Sequence, residues 1–373
     1  MTQKRITRVA LFASMTIACL LLLATPMLAS AQEQQTSQTS KAQVTLTTAS
    51  LTVSAGKVVK YSADSNPAAE FTFTLPGLYE GTYVWIESDS SKKGGSWVSG
   101  TSGDTVTLYV YGAGTHTIKL STWSTTYTCK AVLRQLSIKR TGEIKETGAL
   151  VTCPKHKSKL AVTLTGVKKP KVTWYSTKPK VASVNSKGVV TGKKIGRCYV
   201  KAIIGGATVR VLVEVTSSGA YQAVRNAFYD MHQEITYSQA DRMSAGYRDC
   251  SSFVSRCYWD ESLDRAIAVI GEEWVKYWAY PAAYQAQWLY NNDKRVAWKA
   301  CSLSKLRPGD TVYYETDYAG KDSSQWRYID HAALYVGNGL IMETGGYGGA
   351  GTVGLSVYWP KDKSVKFIGR PCP

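Results

Sequence analysis

Short stretches in which apolar and polar residues alternate occupy most of the chain between residues 44 and 215. Residues 71–75, 105–111 and 115–120 are clear examples, and each ends at a Gly, Ser or Pro turn. Alternation with a period of two places successive side chains on opposite faces of a strand, so each stretch has one face to bury. Short strands of this kind bury those faces in two stacked sheets, which predicts β-sandwiches for this part of the chain.

The pattern changes after Ser217. Apolar residues then recur at helical spacing, with Ser217 or Ser218 as the expected cap, at Tyr221, Val224, Phe228 and Met231. Helical and strand patterns alternate from there to the end, which predicts an α+β domain. We therefore expect three folded modules: an N-terminal module (residues 43–142), a middle module (145–216) and a C-terminal module (217–373).

The first 42 residues are predicted to lie outside these modules. A basic start is followed by an apolar run over residues 9–28 and by Ala29-Ser30-Ala31. This order is typical of an export signal, cleaved after residue 31, and an uncleaved membrane anchor is the alternative. Residues 32–42 are rich in Gln, Ser and Thr and read as a disordered linker. We expect a secreted, cell-wall-associated protein with no stable membrane insertion after cleavage.

Positive charge is concentrated in the middle module. Its 15 lysines and arginines stand against Glu146 and Glu214, a net charge of +13 out of +18 for the chain. Such a surface suits an anionic partner, and for an exported protein anionic wall polymers are the expected one, rather than nucleic acid. A solvated face that only keeps the protein soluble is the alternative.

The N-terminal module resembles no family, and its role is unknown. Trp85, Trp97 and Trp123 are candidates for a sugar-binding platform. Tryptophans of this kind are also common as core or edge residues, and the sequence leaves both interpretations open.

The middle module resembles the bacterial group-two immunoglobulin-like domain. The resemblance is carried by VTWYSTKPKVASVNSKGVVTGKKIGRCYVKAII, in which Trp-x-Ser, Val-Ala-x-Val and Gly-x-Val-x-Gly occur in order. It implies a sandwich that spaces or attaches modules at a cell surface. Cys153 and Cys198 lie near the two ends of this module and are candidates for a disulfide, although the pairing cannot be read from sequence.

The stretch YRDCSSFVSRCYW places Cys250 at the predicted start of a helix. Asp249 or Ser251 can cap that helix, and Phe253, Val254 and Cys257 give it an apolar face. Unpaired backbone N–H groups and the helix dipole stabilise a thiolate at such a position. Cys250 is therefore a candidate nucleophile, provided that a base lies nearby.

His331 is the best candidate for that base. It opens a short strand that runs into an Asn-Gly turn, and Glu343 lies on the strand that follows. A hairpin of this kind can hold the two side chains together, which would complete a Cys–His–carboxylate set.

The C-terminal module resembles the NlpC/P-sixty family of papain-like cell-wall cysteine peptidases. The matching stretches are YRDCSSFV, LRPGDTVYY, DHAALYVGNGLIMETGG and KFIGRP, in the family's order. The resemblance implies Cys250 as the nucleophile, His331 as the base and Glu343 as the residue that orients it. Glu343 stands where His, Asn or Gln is usual, and Ser252 replaces the commoner Gly.

Three further residues are predicted around the reacting bond. The resemblance places Tyr237 beside the nucleophile, where its hydroxyl would help the Cys250 backbone N–H hold an oxyanion. Arg242 is a candidate for binding a substrate carboxylate, with surface charge as the alternative. Ser251 is the third candidate for the oxyanion or substrate-binding region. We expect no metal and no cofactor, since no Cys/His set at zinc-like spacing accompanies Cys250.

The other cysteines leave open how many thiols are free. Removal of residues 1–31 leaves seven, an odd number, so at least one would remain reduced if the rest pair within the chain. Cys257 is expected to be buried packing or a disulfide partner of Cys301 or Cys372.

These features together predict a secreted peptidoglycan hydrolase that cleaves an amide bond of the stem peptides. The expected bond is the γ-D-glutamyl–diamino acid link, with the sugar-proximal amide as second choice. A wall-binding or adhesion protein with an inactive peptidase-like domain is the alternative from a different class. A third possibility keeps the fold but transfers the acyl group to an amine.

Overall fold

Strand alternation produces a two-layer sandwich in the N-terminal module. The computed structural model describes residues 51–141, 144, 146–242, 244–260, 265–266, 280–316, 322–345 and 352–373. The predicted signal (1–31) and linker (32–42) lie outside the described residues. The strands of the N-terminal module are β1 (Leu51–Ser62), β2 (Ala68–Thr74), β3 (Trp85–Asp89), β4 (Gly95–Ser102), β5 (Thr105–Tyr111), β6 (Gly114–Ser121) and β7 (Thr125–Arg140).

One layer of this sandwich is the antiparallel sheet β2-β5-β4, and the other contains β3, β6, β7 and β1. The period-two pattern explains the layers, because β5 buries Val106, Leu108 and Val110 completely while its intervening residues face outward. These residues share a core with Phe71 of β2 and Ile118 of β6.

The middle module is a second sandwich, and it shares a strand with the first. Its strands are β8 (Leu150–Thr152), β9 (Lys157–Leu164), β10 (Thr173–Ser176), β11 (Ala182–Val184), β12 (Val189–Gly192), β13 (Gly196–Ile204) and β14 (Ala207–Val215). One sheet has the order β10-β13-β14-β8, and the other continues from β7 through β9 and β12 to β11. The last residues of β7, 136–140, pair with residues 160–164 of β9. The two modules are therefore joined by one continuous strand.

The C-terminal module surrounds an antiparallel sheet. Its elements are α1 (Ser218–Met231), β15 (Thr236–Tyr237), β16 (Tyr247–Arg248), α2 (Cys250–Cys257), β17 (Trp259–Asp260), β18 (Arg265–Ala266), α3 (Ala282–Asn291), β19 (Arg295–Ala297), β20 (Thr311–Tyr314), the 3-10 turn Trp326–Tyr328, β21 (His331–Gly337), β22 (Leu340–Thr344), β23 (Val353–Val357) and β24 (Val365–Gly369). Ser217 caps α1, as predicted, by accepting a hydrogen bond from the Ala220 N–H. Among the described residues, no helix is long and apolar enough to cross a bilayer.

The sheet of six strands, ordered β19-β24-β20-β21-β22-β23, is buried on both faces. Along β21, Ala332 and Leu334 contact the helices, whereas Ala333 and Tyr335 belong to a cluster on the other face. Pro308-Gly309-Asp310 leads into the central strand β20. Gly309 has a φ of +94°, and a Cβ there would come within 2.5 Å of the Ala220 Cβ, so glycine lets α1 approach the sheet.

A buried ionic contact fixes the middle module to the β21–β22 hairpin of the C-terminal module. Glu214 of β14, 1% exposed, accepts a hydrogen bond of 2.6 Å from Arg197 Nε and another of 2.6 Å from the Asn338 backbone N–H. Arg197 also donates to the Leu306 carbonyl at 2.9 Å. The Asn338 side chain donates to the Thr147 carbonyl at 2.7 Å. This cluster, which we call the Glu214 clamp, holds the Asn-Gly turn predicted from the sequence.

Replacing Glu214 by Ala is expected to destabilise the protein strongly. The change leaves the Arg197 guanidinium and the Asn338 N–H without their buried acceptor, which costs about 3 kcal/mol of unfolding free energy. Urea denaturation followed by tryptophan fluorescence measures the change. Glu80→Ala, at an exposed turn position, is the control and is expected to change stability by less than about 0.5 kcal/mol. Equal midpoints for the two variants would contradict a structural role for the clamp.

Candidate active site

The N-terminus of α2 is closed by a capping box around Asp249. The Asp249 carboxylate accepts a hydrogen bond of 2.7 Å from the Ser252 N–H, and the Ser252 hydroxyl accepts one of 2.8 Å from the Asp249 N–H. Of the two caps that the sequence allowed, the structure uses Asp249. The box satisfies two of the backbone donors and fixes where the helix begins. Cys250 is consequently the first helical residue.

The Cys250 thiol is buried, with 6% of the residue exposed. Its Sγ lies 3.9 Å from the carbonyl oxygen of Asp330, the residue that precedes His331, and the thiol is close enough to the His331 ring to raise the pKa of that ring. Helix α2 packs directly on β21, the strand that begins with His331. The predicted nucleophile and base are thus brought together although 81 positions separate them in the sequence.

Glu343 binds the other side of the His331 ring. Its Oε2 lies 2.7 Å from His331 Nε2, and both side chains are largely buried, at 13% and 15% exposure. The carboxylate therefore takes Nε2 and leaves Nδ1 available to the thiol. The two residues occupy neighbouring antiparallel strands, β21 and β22, as the Asn-Gly hairpin predicted.

The electrostatics of this site favour a protonated His331. Burial lowers the pKa of His331, but the charge and hydrogen bond of Cys250, followed by those of Glu343, outweigh burial and raise it to about 10. Burial raises the pKa of Glu343, yet the hydrogen bond and charge of His331 bring it below its ordinary value. A buried imidazolium is stable only beside negative charge, so the arrangement is suited to a thiolate–imidazolium pair.

Gln285 of α3 binds α2, the helix that begins at Cys250, through buried hydrogen bonds. It is fully buried, and its Nε2 donates to the Ser251 carbonyl at 2.8 Å and to the Ser255 hydroxyl at 2.9 Å. Sequence reasoning missed this residue. The signal was available, because Ala282, Ala286 and Leu289 place Gln285 on the apolar face of its helix.

Arg242 and Ser251 are both engaged by the cap. Arg242 Nη1 lies 2.8 Å from Asp249 Oδ2, and the Ser251 hydroxyl donates to Asp249 Oδ1 at 3.0 Å. Ser251 is only 2% exposed, so it offers almost no surface to a substrate. Both side chains therefore bond to Asp249. Contact of Arg242 with a substrate stays a prediction. The neighbouring Arg248 is also buried, in an ion pair with Asp230 at 3.2 Å.

Tyr237 reaches the end of β22 from the short strand β15. A Cβ on Gly345 would come within 2.5 Å of the Tyr237 ring, so the ring lies directly against the Gly345 backbone, two residues after Glu343. Gly345 has a φ of +79°, which also favours glycine. The Tyr237 hydroxyl accepts a hydrogen bond of 3.3 Å from Gln239. Its role beside the nucleophile stays a prediction.

All seven cysteines in the described part of the chain are unpaired thiols. The disulfide considered for Cys153 and Cys198 is not formed, and neither is one from Cys257 to Cys301 or Cys372. Cys257 is 1% exposed within the core between α1, α2 and the sheet, and burial raises its pKa well above the ordinary value. Of the two interpretations of Cys257, the structure supports packing.

Comparison with known proteins identifies one part of the chain. The family model of the bacterial Ig-like domain (group 2) matches residues 156–224, which confirms that resemblance for the middle module. No curated protein matches the sequence. Among solved structures, NlpC1 of Trichomonas vaginalis aligns over 83% of this chain and 96% of its own, with 12% identity and a TM-score of 0.29.

Two other solved structures show similar levels of likeness. NlpC2 of Trichomonas vaginalis aligns over 83% of this chain and 99% of its own, with 11% identity and a TM-score of 0.29. Invasin, a bacterial integrin-binding protein, aligns over 41% of this chain and 36% of its own, with 17% identity and a TM-score of 0.27. Scores this low carry no inference about the present chain.

Glu343→Gln is expected to weaken the thiolate–imidazolium pair. The substitution keeps a polar group near Nε2 but removes the charge that raises the pKa of His331, so the imidazolium becomes less stable. Alkylation of Cys250 by iodoacetamide at neutral pH should then be slower than in the native protein, because a thiolate beside a less stable imidazolium is less favoured. Cys250→Ala supplies the background from the other thiols. An unchanged alkylation rate would show that Glu343 does not stabilise the charged ring.

Gln285→Leu is expected to loosen α2 while leaving the core volume nearly unchanged. The Ser251 carbonyl and the Ser255 hydroxyl lose a buried partner, which lowers the free energy of unfolding by about 2 kcal/mol. Thermal denaturation and the iodoacetamide rate at Cys250 should both change. Gln287→Leu, the same replacement at a half-buried position of the same helix, is the matched control. If both variants behaved alike, Gln285 would have no special part in holding the helix.

Proposed function

We propose that the C-terminal module is a papain-like cysteine peptidase of the NlpC/P-sixty type that hydrolyses an amide bond in peptidoglycan stem peptides. The observation that carries this proposal is the position of the buried Cys250 thiol, at a capped helix N-terminus packed on the strand that begins with His331, whose ring is held by Glu343 at 2.7 Å. A thiolate next to an imidazolium is the arrangement that covalent amide hydrolysis requires.

The residues suit each chemical step in turn. The Cys250 thiolate attacks the carbonyl carbon, and the oxygen gains negative charge. The Cys250 backbone N–H, one of the first-turn donors that an α-helix leaves without an internal partner, faces that charge, with the Tyr237 hydroxyl as a second donor. His331 then gives its proton to the leaving amine, and a thioester forms between the substrate and Cys250.

Hydrolysis of the thioester returns the site to its starting state. Neutral His331 takes a proton from water, the resulting hydroxide attacks the thioester carbonyl, and Cys250 leaves as a thiolate. Glu343 holds the ring in one orientation and stabilises its charged form through both halves of the cycle.

The substrate class and location belong to the same proposal. The middle module matches an Ig-like domain of bacterial type, and its excess of lysine and arginine suits anionic wall polymers. Together with the predicted signal at residues 1–31, these features support a secreted enzyme at the cell wall. We propose the γ-D-glutamyl–diamino acid bond as the target, with the sugar-proximal amide second.

Incubation of purified peptidoglycan with the protein tests the reaction. The native protein should release new amino groups, and mass spectrometry of defined muropeptides should identify the bond that is cut. Cys250→Ala should lower the rate at least about a thousandfold, because the nucleophile is lost. Cys301→Ala, which removes a half-buried thiol from another part of the module, is the matched control and should retain activity.

The other functions give different results in the same assay. Equal release by the native protein and Cys250→Ala would contradict a peptidase and favour a wall-binding protein with an inactive domain. Capture of the acyl group by an added amine in preference to water, detected as a mass adduct, would favour a transferase on the same fold.

A further inference from the structure

The N-terminal module turns one face of its three-stranded sheet β2-β5-β4 to solvent. Side chains from the three strands share this face in cross-strand register, and we call it the outer face. Its members are Trp97 and Ser102 of β4, Thr105, Thr107, Tyr109 and Tyr111 of β5, and Glu70, Thr72 and Thr74 of β2. The opposite face of the same strands forms the core, so these residues take no part in it.

Three aromatic rings of the outer face form a ledge. Trp97 and Tyr109 lie opposite each other in register, and their rings stack at 4.2 Å with an interplanar angle of 23°. Tyr111 extends the ledge at 6.1 Å from Trp97. A Cβ on Gly95 would come within 2.8 Å of the Tyr111 hydroxyl, so the ring lies across this glycine. Trp97 and Tyr111 remain 50% and 46% exposed, so the ledge presents aromatic surface to solvent.

The polar residues beside the ledge are mostly hydroxyls. The Thr72 and Thr107 hydroxyls lie 3.2 Å apart in the row next to Tyr109, and each retains capacity for further hydrogen bonds. Glu70 is the single charged residue of the outer face, and no lysine or arginine belongs to it. The face therefore lacks the cations that a phosphate or carboxylate polymer requires.

We propose that the outer face binds a neutral, β-linked polysaccharide. A pyranose ring presents a flat layer of C–H groups, which suits the stacked rings, and a rim of hydroxyls, which suits the threonines and Glu70. A second protein is a poorer fit. The exposed halves of Trp97 and Tyr111 together offer about 200 Å², whereas a stable protein interface needs about 800 Å² on each partner. A chain of sugars needs only one or two such contacts for each residue.

The structure also divides the three tryptophans named from the sequence. Trp97 belongs to the outer face, whereas Trp85 and Trp123 form a separate cluster with Tyr83. In that cluster the Trp85 and Trp123 rings meet edge-on, at 5.4 Å and 61°, whereas the Tyr83 and Trp85 rings stack at 6.0 Å and 29°. Trp123 is 84% exposed and therefore serves as a matched control for the loss of an exposed tryptophan.

Titration of the full chain with soluble oligosaccharides tests the proposal, with Cys250→Ala as the background so that no bond is cut. The probes are chitohexaose and cellohexaose, β-linked hexamers with and without N-acetyl groups, and a polyglycerol phosphate. Binding is followed by calorimetry. At least one hexamer should bind, and Trp97→Ala and Tyr111→Ala should each weaken it by about tenfold. Trp123→Ala should bind as the parent does, and the preferred hexamer tells whether the acetyl group is recognised.

Three results would overturn the proposal. They are binding of the phosphate polymer alone, equal losses from Trp97→Ala and Trp123→Ala, and no loss from Trp97→Ala and Tyr111→Ala when their melting temperatures match the parent. Binding at the outer face needs neither Cys250 nor His331. If the outer face did not bind a polysaccharide, the peptidase proposal would be unaffected. If the protein were not a peptidase, the proposal for the outer face would likewise be unaffected.

Discussion

The Glu214 carboxylate is the point on which the arrangement of the modules depends. It lies on the last strand of the middle module and accepts hydrogen bonds from Arg197 of its own sheet and from the Asn338 turn of the C-terminal module. A buried carboxylate costs free energy unless its partners are in place, so the contact is formed completely or lost. Because Asn338 closes the hairpin that carries His331 and Glu343, the middle module is a fixed support for that hairpin and not a detached spacer.

Other buried carboxylates fix the positions of elements within the C-terminal module, as Glu214 does between two modules. Asp249 collects Arg242, Ser251 and the Ser252 N–H and thereby sets the start of α2. Asp310, in the turn before β20, binds Arg370 through both of its oxygens at 2.8 Å. Each of these acids is neutralised by an arginine. Glu343 differs, because its partner is a histidine, whose charge can change during a reaction.

The parts of the site that could be predicted are those that depend on residues close together in the sequence. Asp249 and Cys250 are adjacent, and a helix start is a local event, so the start of α2 and the position of the thiol could be predicted from the sequence, with Asp249 and Ser251 both open as the cap. His331 and Glu343 flank an Asn-Gly turn, which specifies a hairpin from two residues. The same locality explains why the three segments predicted as strands in the N-terminal module, 71–75, 105–111 and 115–120, lie close to the observed β2, β5 and β6.

The parts that escaped prediction depend on contacts between distant segments. Gln285 meets Ser251 across 34 positions, and Glu214 meets Asn338 across 124. The sequence near a buried polar group does not show which distant residue will be its hydrogen-bond partner. The disulfide suggested for Cys153 and Cys198 failed for a similar reason, since cysteine spacing says nothing of whether two thiols meet. The ion pair of Arg242 with Asp249 could not be predicted either. The sequence does not distinguish an arginine that binds a substrate from one that binds a helix-capping residue.

The two sandwiches differ in the chemistry that they present, and this difference bears on how a wall polymer would be held. The middle module carries +13 of formal charge, and attraction from exposed lysines weakens as salt screens it within about 10 Å. The outer face of the N-terminal module offers rings and hydroxyls, whose contacts with a neutral chain are nearly independent of salt. Strand β7 joins the two sandwiches, and the Glu214 clamp joins the second to the hairpin of His331 and Glu343. Under the proposed function, both surfaces would therefore hold the polymer at a fixed distance from Cys250. If the proposed polymer binds both surfaces, attachment at two rigidly linked points would raise the local concentration of its stem peptides without any new contact at the bond proposed to react.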